Sequence, residues 1–222
     1  MTSFPNSWTH FSPLSIEKAW EVFEKIGWMG GTNINARVHG KTPIHHLLNA
    51  ISWNSIDDVT LTAPDAYDAH LIRACQTLLE EGLSIESKDD FERTLFLEAV
   101  QAPIYFMAFL LNKGANPFAE DKDGNQFPYY LASNLDLWVP NWKDKINWLK
   151  SSGLDLTHRN HKGQSLLDLI ESRNVFFGQS VELTKKKQEF IEMLVQAHIL
   201  KEREQFEDVF DKSTHIKKIN HL

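Results

Sequence analysis

Histidines are the first side chains in this sequence that could do chemistry, since His39, His45 and His46 are spaced closely enough to hold zinc. A second pair lies within His158–His161. Protein zinc sites often combine such histidines with cysteines, and Cys75, the single cysteine of the chain, is remote from both groups in sequence. We therefore expect no metal and no cofactor at either group.

A second candidate is Glu86-Ser87-Lys88, which has the Glu-x-Lys form found in some metal-dependent nucleases. There the Glu and an upstream Asp, here Asp57 or Asp58, would hold Mg²⁺, and the Lys would steady the attacking water. The motif follows shortly after Gly82, where a turn is expected, and it is common by chance. A metal-dependent nuclease is therefore the least favoured interpretation.

Two common catalytic motifs are missing from the sequence, namely the Gly-x-x-x-x-Gly-Lys phosphate loop and the Gly-x-Ser-x-Gly nucleophile elbow. Cys75 lies on an apolar stripe with Leu71 and Leu78, which is typical of a buried structural thiol. We expect that the protein is not an enzyme.

Composition indicates a folded protein that does not bind nucleic acid. Of the 222 residues 42% are hydrophobic, and 30 acidic against 23 basic residues give a net charge of −7. A binder of the phosphate backbone would instead cluster Lys and Arg on one face. The N-terminal sequence lacks the basic and apolar regions of a signal peptide, and no apolar run approaches the roughly 18 residues of a membrane span. We expect a cytoplasmic protein with no membrane segment.

Four short segments read alike, and each begins with a glycine followed three positions later by an apolar residue; the glycines are Gly31, Gly82, Gly114 and Gly153. The last three follow apolar helix ends, where glycine takes the left-handed conformation without penalty. A second position keeps step with them at an offset of 11, 12, 12 and 12 residues, occupied by Thr42, Thr94, Gln126 and Ser165. Thr and Ser are favoured at the N-cap position of a helix. The recurring offset between glycine and N-cap therefore predicts four units, each with a turn followed by a helix.

Two of these units carry nearly complete motifs, Gly40-Lys41-Thr42-Pro43-Ile44-His45 and Leu110-Leu111-Asn112-Lys113-Gly114-Ala115-Asn116. They resemble the ankyrin repeat family, and the likeness extends over about residues 16 to 200, although Gln126-Phe127-Pro128-Tyr129 keeps only the position. The resemblance implies an all-α, ankyrin-like solenoid of about four helix-pair repeats with N- and C-terminal capping helices. In such a unit His45 ties neighbouring finger loops by hydrogen bonds and does no catalysis.

We predict one domain over residues 1–222. It comprises an N-terminal cap (1–30), repeats at 31–88, 89–120, 121–158 and 159–210, insertions near 53–67 and 135–141, and a tail (211–222). Ser12 or Ser15 can start the capping helix, which runs to about Gly27. A long helical pattern from about 181 to 210 has Phe190, Met193, Leu194 and Ala197 as its apolar stripe.

The resemblance also implies where a partner is bound, on the finger tips and the exposed ends of the first helices. The finger residues are Arg37, His39, Lys41, Asp89, Asp90, Glu92, Asp121, Asp123, Asn125, Arg159, His161 and Lys162. The helix-end residues are Asn49, Gln101, Ser133, Asn134 and Arg173. Trp53 and Trp138 fall in the insertions, where they either anchor a partner or pack the insertions onto the stack.

The resemblance therefore predicts protein–protein interaction by a protein that is monomeric alone. Small size, acidity and the missing export signal favour a bacterial immunity protein that binds and inhibits a cognate toxin, such as a basic nuclease. The first alternative is a secreted bacterial effector that binds a host protein, because the acidic stretch Glu202–Asp211 before a polar tail is compatible with a secretion signal.

Overall fold

The computed structural model of the chain is all-α. It describes residues 13–50, 66–102, 104–133, 142–151, 153–172, 185, 188–198 and 200–201, and within these ranges no strand is present. The helices are α1 (Ile16–Lys25), α2 (Pro43–Ala50), α3 (Ala66–Glu80), α4 (Leu95–Glu98), α5 (Ile104–Asn112), α6 (Phe127–Ser133), α7 (Trp142–Ser151) and α8 (Leu166–Ser172). A 3₁₀ turn, Ala99–Gln101, continues α4, and residues 188–198 are also helical.

The chain divides into two compact units, Met1–Leu154 and Asp155–Leu222. In the first unit α1 packs against α3, α2 contacts both α3 and α4, and α4 contacts α6. In the second unit Phe190 and Leu194 are buried, as the predicted apolar stripe requires, while Lys185 is exposed. The predicted single domain stays a prediction.

The start of α1 lies where the sequence predicts it. Ser15 is the N-cap, and its side chain accepts a hydrogen bond from the Lys18 amide. Ala19, Val22 and Phe23 follow at helical spacing and are buried, so one face of α1 joins the core.

Aromatic and branched side chains fill the core of the first unit. Its largest fully buried members are Phe23, Phe96, Phe106, Phe109, Phe127, Ile44, Leu47, Leu71, Ile72 and Leu78. Trp142, at the edge of the second predicted insertion, is only 6% exposed and so packs into the core. Cys75 is also buried, and burial raises the pKa of its thiol to about 12, which confirms the structural reading.

Helices α3, α5 and α7 end at the predicted glycines. Gly82, Gly114 and Gly153 have φ values of +100°, +91° and +100°. The amide after each glycine donates to a carbonyl five residues earlier, with N···O distances of 2.9, 3.0 and 3.0 Å. This is the Schellman ending, which satisfies carbonyls that the helix leaves unpaired.

Helix α1 ends in the same way at Gly27, where the sequence predicts its end. Gly27 has a φ of +76°, and the Trp28 amide donates to the Phe23 carbonyl over 2.9 Å. Gly31, with a φ of +62°, opens only the turn that follows. At the first of the four glycine positions, Gly27 therefore ends the preceding helix and Gly31 opens the turn. At the three later positions a single glycine does both.

A second turn follows each glycine of the series. Asn33, Ser84, Asn116 and Asp155 stand two residues after the glycine, and each side-chain oxygen accepts from the amide two residues further on. The four N···O distances lie between 2.8 and 3.2 Å. Asn, Asp and Ser are suited to such turns because a short side chain reaches its own backbone.

Most of both predicted insertions lies outside the described residues, as does the predicted tail. The described part contains no helix long and apolar enough to cross a membrane.

Candidate functional site

The loops that lead into α2, α4, α6 and α8 carry most of the predicted contact residues, and we call them fingers. Finger 1 is 37–41, finger 2 is 88–94, finger 3 is 120–126 and finger 4 is 159–165. Fingers 1 to 3 belong to the first compact unit and finger 4 to the second.

Fingers 2, 3 and 4 are built on one pattern of hydrogen bonds. Each begins its bend at Asp89, Asp121 or Asn160, whose Oδ1 accepts from the amides two and four residues further on. In finger 2 these donors are Phe91 and Arg93, both at 2.8 Å. The distances are 2.8 and 2.9 Å in finger 3 and 3.0 Å twice in finger 4. One side chain thus fixes the shape of each loop.

Finger 1 is a tighter turn. Val38 and Lys41 exchange backbone hydrogen bonds of 2.9 and 3.0 Å, and between them His39 and Gly40 have φ values of +50° and +75°. Positive φ at both central residues is the two-residue hairpin turn in which glycine is favoured. This turn is one residue shorter than the others, which explains the offset of 11 rather than 12 in the sequence.

Fingers 1, 2 and 3 are joined by backbone hydrogen bonds. The Asp90 amide donates to the Gly40 carbonyl over 3.0 Å, and the Lys122 amide donates to the Phe91 carbonyl over 3.1 Å. The Arg37 guanidinium adds an ion pair to the Asp90 carboxylate at 2.9 Å. Three loops distant in sequence therefore present one continuous surface.

His45 ties finger 2 to the start of α2. Its Nε2 lies 3.1 Å from the Arg93 carbonyl, which can only accept, so Nε2 carries the proton. Its Nδ1 therefore accepts from the Thr42 hydroxyl at 2.7 Å. Burial lowers the pKa of His45, against the opposing charge of Glu98, and favours this neutral form. The structural role predicted for His45 is confirmed.

A chain of charges runs beneath fingers 1 and 2. The Asp89 carboxylate pairs with Arg93, whose guanidinium lies 2.8 Å from Glu98, and Lys41 lies 3.0 Å from the same Glu98. Burial alone would raise the pKa of Asp89, but hydrogen bonds from Arg93 hold it below its ordinary value. Asp89 is therefore a buried, ionised staple of the loop.

Asp121 plays the matching part in finger 3. Its Oδ2 accepts from the Tyr130 hydroxyl at 2.6 Å and from the Asn125 side-chain amide at 3.1 Å. Burial would raise the pKa of Asp121, and these hydrogen bonds lower it. Asp89, Asp121 and Asn125 are only 3%, 7% and 7% exposed. They were expected to contact a partner, and this burial corrects that expectation, since their side chains serve the loops instead.

The other predicted contact residues divide by exposure. Exposed in the first unit are Arg37, His39, Asn49, Asp90 and Glu92, and exposed in the second are Arg159, His161 and Lys162. Half-buried are Lys41, Gln101, Asp123 and Ser133. Trp53, Asn134, Trp138 and Arg173 lie outside the described residues.

Phe91 is a surface residue that the sequence analysis missed. It lies at the bend of finger 2 and is 53% exposed. The Lys122 ammonium is 4.8 Å and the Arg93 guanidinium 5.1 Å from its ring centroid, so cations flank the ring. Aligning the fingers would have found it, because Asp123 and Lys162 occupy the same position in fingers 3 and 4.

The nuclease motif requires its Glu to lie on a strand, and Glu86 does not lie on one. It follows the Ser84 turn, and its carboxylate accepts from the Asn116 amide at 2.8 Å. Asp57 and Asp58, the proposed partners, lie outside the described residues. Within the described part, no three His, Cys, Asp or Glu side chains are grouped to hold a metal ion.

Comparison with known protein families gives no match, and no curated protein is similar in sequence to this chain.

Proposed function

We propose that the protein is an ankyrin-like repeat protein that binds another protein through fingers 1 to 3. The observation that carries the proposal is the repeated loop. In fingers 2 and 3 an Asp side chain accepts hydrogen bonds from the amides of its own loop, and each finger is linked to its neighbour by a backbone hydrogen bond. A rigid row of loops held by buried helices suits recognition, because little conformational freedom is lost when a partner binds.

Phe91 supplies the centre of the proposed contact. An exposed aromatic ring with charged neighbours resembles the anchor residues that dominate binding energy in protein interfaces. Asp90 and Glu92 flank it along the chain, and their side chains are 63% and 61% exposed. An apolar centre with a polar rim is the usual anatomy of such a patch.

If the partner were a basic nuclease, acidic residues could mimic the phosphates of its nucleic acid. The acidic residues of finger 2 do not favour this kind of mimicry. Asp89 is paired with Arg93 and Asp90 with Arg37, so both charges are balanced within the protein. We therefore propose that the partner is engaged around Phe91. The particular partner we propose is a cognate bacterial toxin, neutralised in the cytoplasm.

Co-expression with the protein encoded by the adjacent gene tests this proposal. We expect a stable complex and restored growth of cells that carry the toxin. In titrations of the purified complex, Phe91→Ser should weaken binding by about 2 kcal/mol or more, which is the scale of an interface anchor.

Phe118→Ser is the matched control. This ring is 36% exposed and lies beside Gly153, in the turn after α5 rather than in a finger. Its replacement should leave affinity unchanged. If Phe118→Ser weakens the complex as much as Phe91→Ser, or if no complex forms, the proposal is wrong.

A further inference from the structure

A pocket of about 380 Å³ lies between α1 and α3. None of its described lining residues belongs to a finger, so it is separate from the proposed protein-binding surface. Its volume falls in the range of small-molecule sites, which run from roughly 300 to 1,000 Å³. Leu14 and Val22 give it an apolar wall, and the aliphatic stems of longer side chains add to that wall.

Positive charge surrounds this pocket, although the protein as a whole carries a net charge of −7. Lys18 and Lys25 line it from α1, and Arg73 lines it from α3. Glu21 is the one carboxylate among the described lining residues. Three cations against one carboxylate create a local field that attracts anions.

These cations are not paired within the part of the protein that the structure describes. Among the described residues, Lys18, Lys25 and Arg73 form no ion pair, unlike the basic residues under fingers 1 and 2. The Nε of Arg73 is shielded from solvent and has no hydrogen-bond acceptor. A buried donor without a partner is costly. Because this Nε is shielded from solvent, a ligand in the pocket would reach Arg73 through the other nitrogens of its guanidinium.

We propose that this pocket binds a small carboxylate with an apolar body. The carboxylate would accept from the Arg73 guanidinium, the favoured partner of that planar group. Lys18 and Lys25 would balance its charge, and the apolar body would lie against Leu14 and Val22.

The hydrogen bonds around Leu14 hold this wall in place. The Leu14 amide donates to the Thr77 hydroxyl at 3.0 Å, and that hydroxyl lies 3.1 Å from the Leu14 carbonyl. Thr77 stands one helical turn after Arg73 on α3. The segment before α1 is therefore fixed to the helix that carries Arg73, so both walls of the pocket are preorganised.

Calorimetric titration of the full chain with octanoate, acetate and 1-octanol tests the proposal. Octanoate should bind saturably, whereas acetate lacks the apolar body and octanol lacks the charge, so both should bind at least about tenfold more weakly. Arg73→Met and Lys25→Met keep the aliphatic stem and should each weaken octanoate by about tenfold or more, as expected when a charged hydrogen bond is lost.

Lys150→Met is the control, since Lys150 lies in the last turn of α7, outside this pocket. Circular dichroism should show each variant folded, and Lys25→Met provides the test if Arg73→Met unfolds. The proposal is overturned if octanoate does not saturate at millimolar concentration, if octanol binds equally well, or if a folded variant at Arg73 or Lys25 binds like the original protein.

Discussion

Neighbouring residues of one type can have opposite roles in this protein. Asp89 is 3% exposed and fixes the shape of finger 2, while the side chain of Asp90 is 63% exposed. The sequence predicted the loop but treated the two aspartates alike. What separates them is register: Asp89 holds the position of Asp121 and Asn160, whose side chains can accept from two amides at once. Only an alignment of the fingers with one another carries that signal.

His45 makes the stability of the protein depend on pH in a defined window. Its pKa in the folded protein is lowered from 6.5. Well above pH 6.5 the His45 side chain is neutral in both the folded and the unfolded protein, so its titration takes nothing from the free energy of unfolding. As pH falls below 6.5 toward the lowered value, the unfolded chain binds the proton more readily, so the free energy of unfolding decreases. One such group contributes a slope of at most about 1.4 kcal/mol per pH unit.

Urea denaturation at several values between pH 7.5 and pH 5, from about one unit above to about 1.5 units below the ordinary His value, measures this slope. His45→Gln should be less stable at pH 7.5 but lose less stability on acidification. His161→Gln, which removes an exposed histidine of finger 4 and leaves His45 in place, is the control. Equal slopes for the original protein and His45→Gln would contradict the assignment.

At the scale of elements, the pattern of glycines and helix starts predicted where three of the helices end. Gly82, Gly114 and Gly153 end helices with positive φ because a Schellman ending needs that conformation. The sequence also placed the end of α1 near Gly27, and the hydrogen bonds of α1 confirm it. The pattern did not predict the exposure of Phe91, whose ring lies between cations of fingers 2 and 3.

Finger 2 departs from the other stapled fingers at one backbone position. Gly124 and Gly163 have φ values of +80° and +73°, and the equivalent residue of finger 2 is Glu92, with a φ of +59°. A residue with a side chain is strained in this conformation by about 1–2 kcal/mol. The Lys88–Glu92 ion pair is exposed on both sides, so it offsets little of that strain.

We expect Glu92→Gly to stabilise the protein by about 0.5–1 kcal/mol, because the gain from released strain exceeds the added flexibility of the unfolded chain. Glu92→Ala removes the same charge but keeps the strained conformation, so it should change stability little. Denaturant unfolding of the two variants measures the difference. If Glu92→Gly is no more stable than Glu92→Ala, strain at this position is not the cause.

At the scale of the molecule, the first compact unit is held together by contacts between neighbouring loops as well as by its core. The Asp90–Gly40 and Lys122–Phe91 hydrogen bonds join fingers 1, 2 and 3, and His45 adds a buried link between α2 and finger 2. In repeat proteins stability is the sum of terms within units and terms between neighbours. Substitutions at these links should therefore act on neighbouring fingers together.

Alanine substitutions at Gly40 and Gly82 distinguish the stability that arises within one turn from the stability that depends on contact between neighbouring fingers. Both have positive φ, +75° and +100°, so alanine is strained at either position. A Cβ on Gly82 would meet nothing within 4 Å, whereas a Cβ on Gly40 would lie 2.8 Å from Asp90 Cγ and 3.1 Å from Asp90 Cβ. Gly82→Ala should therefore cost about 1–2 kcal/mol of unfolding free energy from strain alone. Gly40→Ala should cost more, because the Asp90 side chain must also move and weaken its ion pair with Arg37. A double-mutant cycle with Asp90→Ala isolates this part, since the shorter side chain relieves the clash with Cγ. If Gly40→Ala costs no more than Gly82→Ala, or if the cycle shows no coupling to Asp90, the close approach of fingers 1 and 2 does not contribute to the stability of the first compact unit.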